Sequence, residues 1–66
     1  MFTIWDFIVA VNDARPIFII SINGVFRDIY TYNELALNDT INRLHISKLR
    51  IKSVNGKPTY IIDCEV

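Results

Sequence analysis

Near the start of the chain apolar residues recur at spacings of three and four, Ile4, Phe7, Ile8 and Val11, the period of a short helix with one buried stripe and Trp5 near its margin. Thr3 and Asp6 mark its start: the hydroxyl can accept from the free amides of the first turn, and the acid suits the positive end of the helix. Asn12, Asp13 and the pair Arg15-Pro16 predict its end, because a residue before proline is pushed out of the helical region.

Ile17 to Ile22 is an almost unbroken β-branched run, and Asn23-Gly24 follows it directly. That dipeptide is a strong hairpin signal, since a type I′ turn needs positive φ at both central positions. Val25 to Thr31 is therefore expected to return antiparallel. A two-residue loop places Ile22 opposite Val25, Ile20 opposite Arg27 and Phe18 opposite Ile29, and leaves Ile17, Ile19, Phe26 and Tyr30 on the other face. Both faces are then largely apolar. One helix cannot cover both, so part of this surface is expected to stay exposed or to be covered by another subunit.

Residues 33–45 form the connection. Glu34, Leu35 and Leu37 suit a helical turn, and Asn38 or Asp39 can cap a second one through Ile41 and Leu44. From Ile46 the period becomes two: Leu49, Ile51 and Ser53 alternate with Lys48, Arg50 and Lys52, and after Asn55-Gly56, Tyr60, Ile62, Cys64 and Val66 alternate with Thr59, Ile61, Asp63 and Glu65. A loop over residues 55–58 would set Arg50 opposite Asp63 and Lys48 opposite Glu65, whereas a tighter two-residue turn shifts those partners by two. Pro58, lacking an amide donor, suits the loop or an edge strand. The expected architecture is a single α+β domain over residues 1–66, with a short N-terminal helix packed on an antiparallel sheet of about four strands made of two hairpins.

Composition agrees with a sheet-forming domain. The chain has 66 residues, near the lower limit at which one apolar core suffices, and 21 of them are β-branched, including twelve Ile. Hydrophobic residues reach 52%, which excludes a disordered chain. The net charge is zero, but residues 1–39 carry −3 and residues 40–66 carry +3, a polarity that two solvated faces explain. Cys64 is the only cysteine, so no intrachain disulfide or cysteine-based metal cluster forms. Residues 1–11 have no basic n-region and carry Asp6 in their middle, unlike a signal peptide, and no apolar run approaches the roughly 20 residues of a membrane span. The expected setting is a reducing cytoplasm, with no membrane partner.

Candidate chemistry is sparse. His45 and Cys64 are the obvious base and nucleophile, yet Cys64 falls on the apolar parity of its strand and reads as a small buried hydrophobe. The acids are scattered, and the two glycines sit in separate turns, so no phosphate-cradling loop exists. Neither enzyme activity nor a metal or cofactor is expected.

Two binding readings remain. The first is a protein interface at Trp5, Phe26, Tyr30 and Tyr32, with homo-oligomerisation as the way a small domain covers its surplus apolar surface. The second is nucleic-acid contact through Arg43, Lys48, Arg50 and Lys52, in a stretch with no acid between Thr40 and Ile62. The aromatic platforms that read single strands lie in the other hairpin, which ranks this reading second.

The succession of a short helix, a hairpin around Ser21-Ile22-Asn23-Gly24-Val25, a Tyr32-Asn33-Glu34-Leu35 segment and a closing hairpin at Asn55-Gly56 resembles the small accessory proteins of phages and prophages in AT-rich bacterial genomes. Its abundance of Ile and Asn adds to the likeness. The resemblance implies a protein that acts by binding, in some cases by docking on a host protein to inhibit it, in the host cytoplasm. It assigns no functional residue.

Overall fold

A computed structural model of the chain describes residues 2–11 and 15–66. Seven elements follow in order: α1 (Ile4–Ile8), β1 (Ile17–Ile22), β2 (Val25–Thr31), α2 (Tyr32–Leu37), α3 (Asp39–Asn42), β3 (His45–Val54) and β4 (Lys57–Glu65). The fold is α+β, with one four-stranded sheet and three short helices.

Each helix begins on a side-chain cap. The Thr3 hydroxyl accepts from Asp6 N at 3.2 Å while Asp6 Oδ2 accepts from Thr3 N at 3.0 Å, and Thr31 and Glu34 repeat this reciprocal box at the start of α2. Hydrogen bonds from the Thr3 backbone and then its side chain hold the Asp6 carboxyl below its ordinary pKa. Asn38 Oδ1 caps α3 through Ile41 N. Acids therefore occupy the first turn of every helix, Asp6, Glu34 and Asp39, and these account for most of the negative charge in the N-terminal half. The stop signals Asn12 and Asp13 lie outside the described residues.

Both hairpins turn on Asn-Gly with positive φ, Asn23 at 51° and Gly24 at 82°, Asn55 at 53° and Gly56 at 75°. The second hairpin takes the tighter register, with Val54 opposite Lys57, Lys48 opposite Asp63 and Arg50 opposite Ile61. Pro58 sits in β4, a central strand, rather than in the loop or on an edge. The residues flanking a two-residue loop form a hydrogen-bonded pair, so the next pair, Ser53 and Pro58, does not, and the proline nitrogen faces away from β3. On that side β1 first pairs at Thr59, one residue later.

The strand order is β2-β1-β4-β3, and the central pair β1/β4 is parallel, so the sheet is mixed and not antiparallel throughout. The connection decides this. α2 and α3 carry the chain from the end of β2 back to its starting level at the opposite edge, so that β3 runs in the same direction as β2 and β4 runs with β1. The parallel ladder extends into the first turn, where Asn23 N donates to Cys64 O at 2.8 Å and Asn23 Oδ1 accepts from Val66 N at 3.3 Å.

One cluster forms the core: Ile4 and Ile8 of α1, Leu35 of α2 and Ile41 of α3 against Phe18, Ile20, Tyr60, Ile62 and Cys64 of the two central strands. The helical layer expected from the N-terminal helix is shared by three helices, the five-residue α1 and the two short helices of the connection. The Phe7 ring meets Phe18 and Tyr60 edge-on, and those two rings stack at 5.5 Å. Asn42, like Thr59 a buried polar residue, is 4% exposed, and its Nδ2 donates to the carbonyls of Leu35 and Ala36, closing the end of α2. Asn42→Ala leaves those carbonyls short of a donor in a buried place and should lower unfolding free energy by about 1–3 kcal/mol, read from urea denaturation midpoints at unchanged slope.

Candidate functional site

The pleat sends alternate side chains of each strand to opposite faces. Core residues of β1 and β4 are even-numbered, so the odd-numbered residues form the face turned away from the helices. Strand pairing arranges this open face in three rows: Thr31, Ile17, Thr59, Lys52; Ile29, Ile19, Ile61, Arg50; and Phe26, Ser21, Asp63, Lys48. Among the described residues no helix covers it. On it Ile17, Ile19 and Ile61 are partly buried and Thr59 is buried, while Phe26 is 60% and Ile29 53% exposed. A greasy strip across β2, β1 and β4 is thus bounded by a column of cations on β3.

The edges of the sheet are less open. β2 carries a bulge at Arg27, and Asp28 Oδ1 accepts from Ile29 N at 2.7 Å. A bulged strand with a carboxylate on its amide is a poor template for another strand. At the start of β3, Phe2 O accepts from Ile46 N and Ile4 N donates to Leu44 O, so the N-terminal segment covers part of that edge, with Thr3 bridged to His45. The cationic column lies along the rest. A second bulge at Ser47 is held by its hydroxyl donating to Asp63 O at 3.1 Å.

The four aromatics expected to make one interface are dispersed. Phe26 lies on the open face. Tyr30 pairs with Phe18 and packs, half-buried, against the core, because the extra residue at Arg27 shifts the phase of β2 by one and sends Tyr30 to the helical side. The expected pairs Ile20 with Arg27 and Phe18 with Ile29 fail for the same reason: Ile20 meets Asp28 and Phe18 meets Tyr30. Tyr32 is the first residue of α2, partly buried against the core, and lines a cleft of about 570 Å³ with Arg15, Asn33 and Lys57 where β1 begins and β2 ends. Trp5 is on α1, 46% exposed. Of the four cations, Lys48, Arg50 and Lys52 share the open face, whereas Arg43 caps the end of α3, outside their column.

Ile19, Ile29 and Ile61 are the site residues that reading the aromatics alone passes over. Ile61 carried a signal: it is the one large apolar residue on the otherwise polar parity of β4, between Thr59 and Asp63. His45 and Cys64 are not brought together. Cys64 is 1% exposed, its thiol pushed up to about 11 by burial and then by the neighbouring Asp63 carboxylate, and it is protonated at neutral pH. His45 pairs with Glu65, on the opposite side of the strand from Cys64. Among the described residues no group of three His, Cys, Asp or Glu side chains is placed to hold a metal ion, and no helix is long and apolar enough to cross a membrane.

No family model, curated protein or solved structure matches the chain.

Proposed function

We propose that this protein is a non-enzymatic interaction module that associates with a second copy of itself through the open face of its sheet, in a cytoplasmic setting. The observation that carries the reading is the uncovered row Ile29, Ile19 and Ile61, continued by Phe26, on a subunit whose helices shelter only the other face. Apolar surface of this kind gains roughly 25 cal/mol for each Å² removed from water, and among the described residues no further element supplies that cover. Blunted edges favour contact by faces over contact by strand addition. The resemblance to phage accessory proteins adds a host protein as a further partner of the same surface.

Sedimentation velocity over a wide concentration range tests this. The expected result is a reversible shift from the 7.7 kDa species to twice that mass as concentration rises. A single species at 7.7 kDa throughout would remove the basis for the reading.

Nucleic-acid binding is the second reading, favoured by one observation: Lys48, Arg50 and Lys52 share a face with exposed Phe26. Against it, the central strands present isoleucines where single-strand readers present stacking rings. Salt-sensitive binding to single-stranded DNA, lost in Arg50→Glu, would promote it.

A further inference from the structure

We infer that two copies pack open face to open face with their two-fold axis parallel to the strands, so that the cationic column of each subunit crosses the uncharged β2 column of the other. The inference rests on the self-association reading above and adds its geometry.

The columns that meet decide the axis. Two faces can be related by a two-fold axis in the plane between them that runs either across the strands or along them. An axis across the strands keeps every strand over its own copy. β3 then lies on β3, Arg50 over Arg50 and Lys48 over Lys52, and six cations are brought together along one edge of the interface. An axis along the strands reverses the order β2-β1-β4-β3 above itself. Each row then faces its own reverse. Ile19 meets Ile61 of the second copy at the centre, Asp63 meets a Ser21 hydroxyl that can donate to it, Arg50 extends over Ile29, and Lys48 comes over the Phe26 ring, an attractive cation–π arrangement. The long stems of the cations lie on apolar surface and their charged heads reach the rim. Aligned sheets cross at about 30°, which displaces the outer pairs more than the central ones.

Size sets the strength. Four strands at ~4.8 Å and six residues at ~3.3 Å make a face of roughly 400 Å² in projection, so the pair of faces totals about 800 Å², below the ~1,200 Å² of stable specific interfaces and in the range of transient ones. The dimer should form and dissociate with concentration rather than persist on dilution.

Crosslinking reads the axis directly, because packed sheets lie about 10 Å apart while opposite edge strands are offset by about 14 Å sideways. Ile29→Cys and Arg50→Cys variants are treated, separately and mixed, with a short bismaleimide; buried Cys64 is common to all samples, and the parent chain is the control. The expected result is a crosslinked dimer in the mixture and little in either variant alone. Crosslinks in each variant alone, with none added by mixing, would establish the axis across the strands and overturn the inference. A dimer mass without crosslinks in any sample would overturn face-to-face packing and move the interface elsewhere, as to α1 around Trp5. A monomer mass at every concentration defeats the underlying reading itself.

Discussion

Phe18→Ala should leave the chain largely unfolded at 25 °C. Phe18 is fully buried at the middle of the core, stacked on Tyr60, edge-on to Phe7, and enclosed by residues of the helical layer. Truncating a buried phenylalanine costs about 3–5 kcal/mol, the sum of lost transfer energy and the cavity left behind. A domain of 66 residues has only about 3–10 kcal/mol of stability in total, and this one has no disulfide among its described residues to limit the unfolded chain. Collapse of amide chemical-shift dispersion, or loss of a cooperative urea transition, is the measurement. A variant that keeps a cooperative transition within about 1 kcal/mol of the parent would mean that the aromatic stack is not the centre of the core.

Ile61→Glu should abolish self-association and spare the fold. Ile61 stands in the middle row of the open face, with Ile19 on one side and Arg50 on the other. In the monomer the new carboxylate is wet and lies beside Arg50, which offsets the loss of a β-branched residue. Between two faces it would be taken out of water against isoleucine. Burying a charge without a matched partner costs about 3–5 kcal/mol, which corresponds to at least a hundredfold weaker dimer, since 1.4 kcal/mol is tenfold. Ile51→Glu is the control: Ile51 is 64% exposed but pairs with Tyr60 on the helical side of the sheet, so its substitution should leave the dimerisation constant unchanged. Sedimentation equilibrium of both variants, with circular dichroism to check folding, separates the outcomes. Equal weakening by both would point to a general loss of hydrophobicity rather than to this face.

Local chemistry was legible wherever residues a few positions apart decide the backbone. The Thr3/Asp6 cap, the two Asn-Gly turns, the short helices in the connection and the buried parity of Cys64 follow from hydrogen-bonding reach, positive φ and period-two alternation, and a linear sequence displays all of these. The same holds for the excess of apolar sheet, visible in the run from Ile17 to Ile22 before any partner strand is known.

What the tertiary structure alone decided is how these pieces face one another. The direction of β4 beside β1 depends on the path that α2 and α3 take, and no local preference encodes a pairing between residues about forty positions apart. The bulge at Arg27 inserts one residue into a period of two, which sends Tyr30 to the helical side, leaves Phe26 on the open face and dissolves the aromatic interface that strict alternation predicts. Lys48, Arg50 and Lys52 could be aligned from their spacing, but that they border isoleucines from three other strands is a consequence of strand order. By itself, then, the sequence determined the elements, their caps and turns, and the surplus of apolar surface, since each depends on neighbours along the chain. Which side chains share the uncovered face is a matter of neighbours in space, and only the folded sheet supplies those.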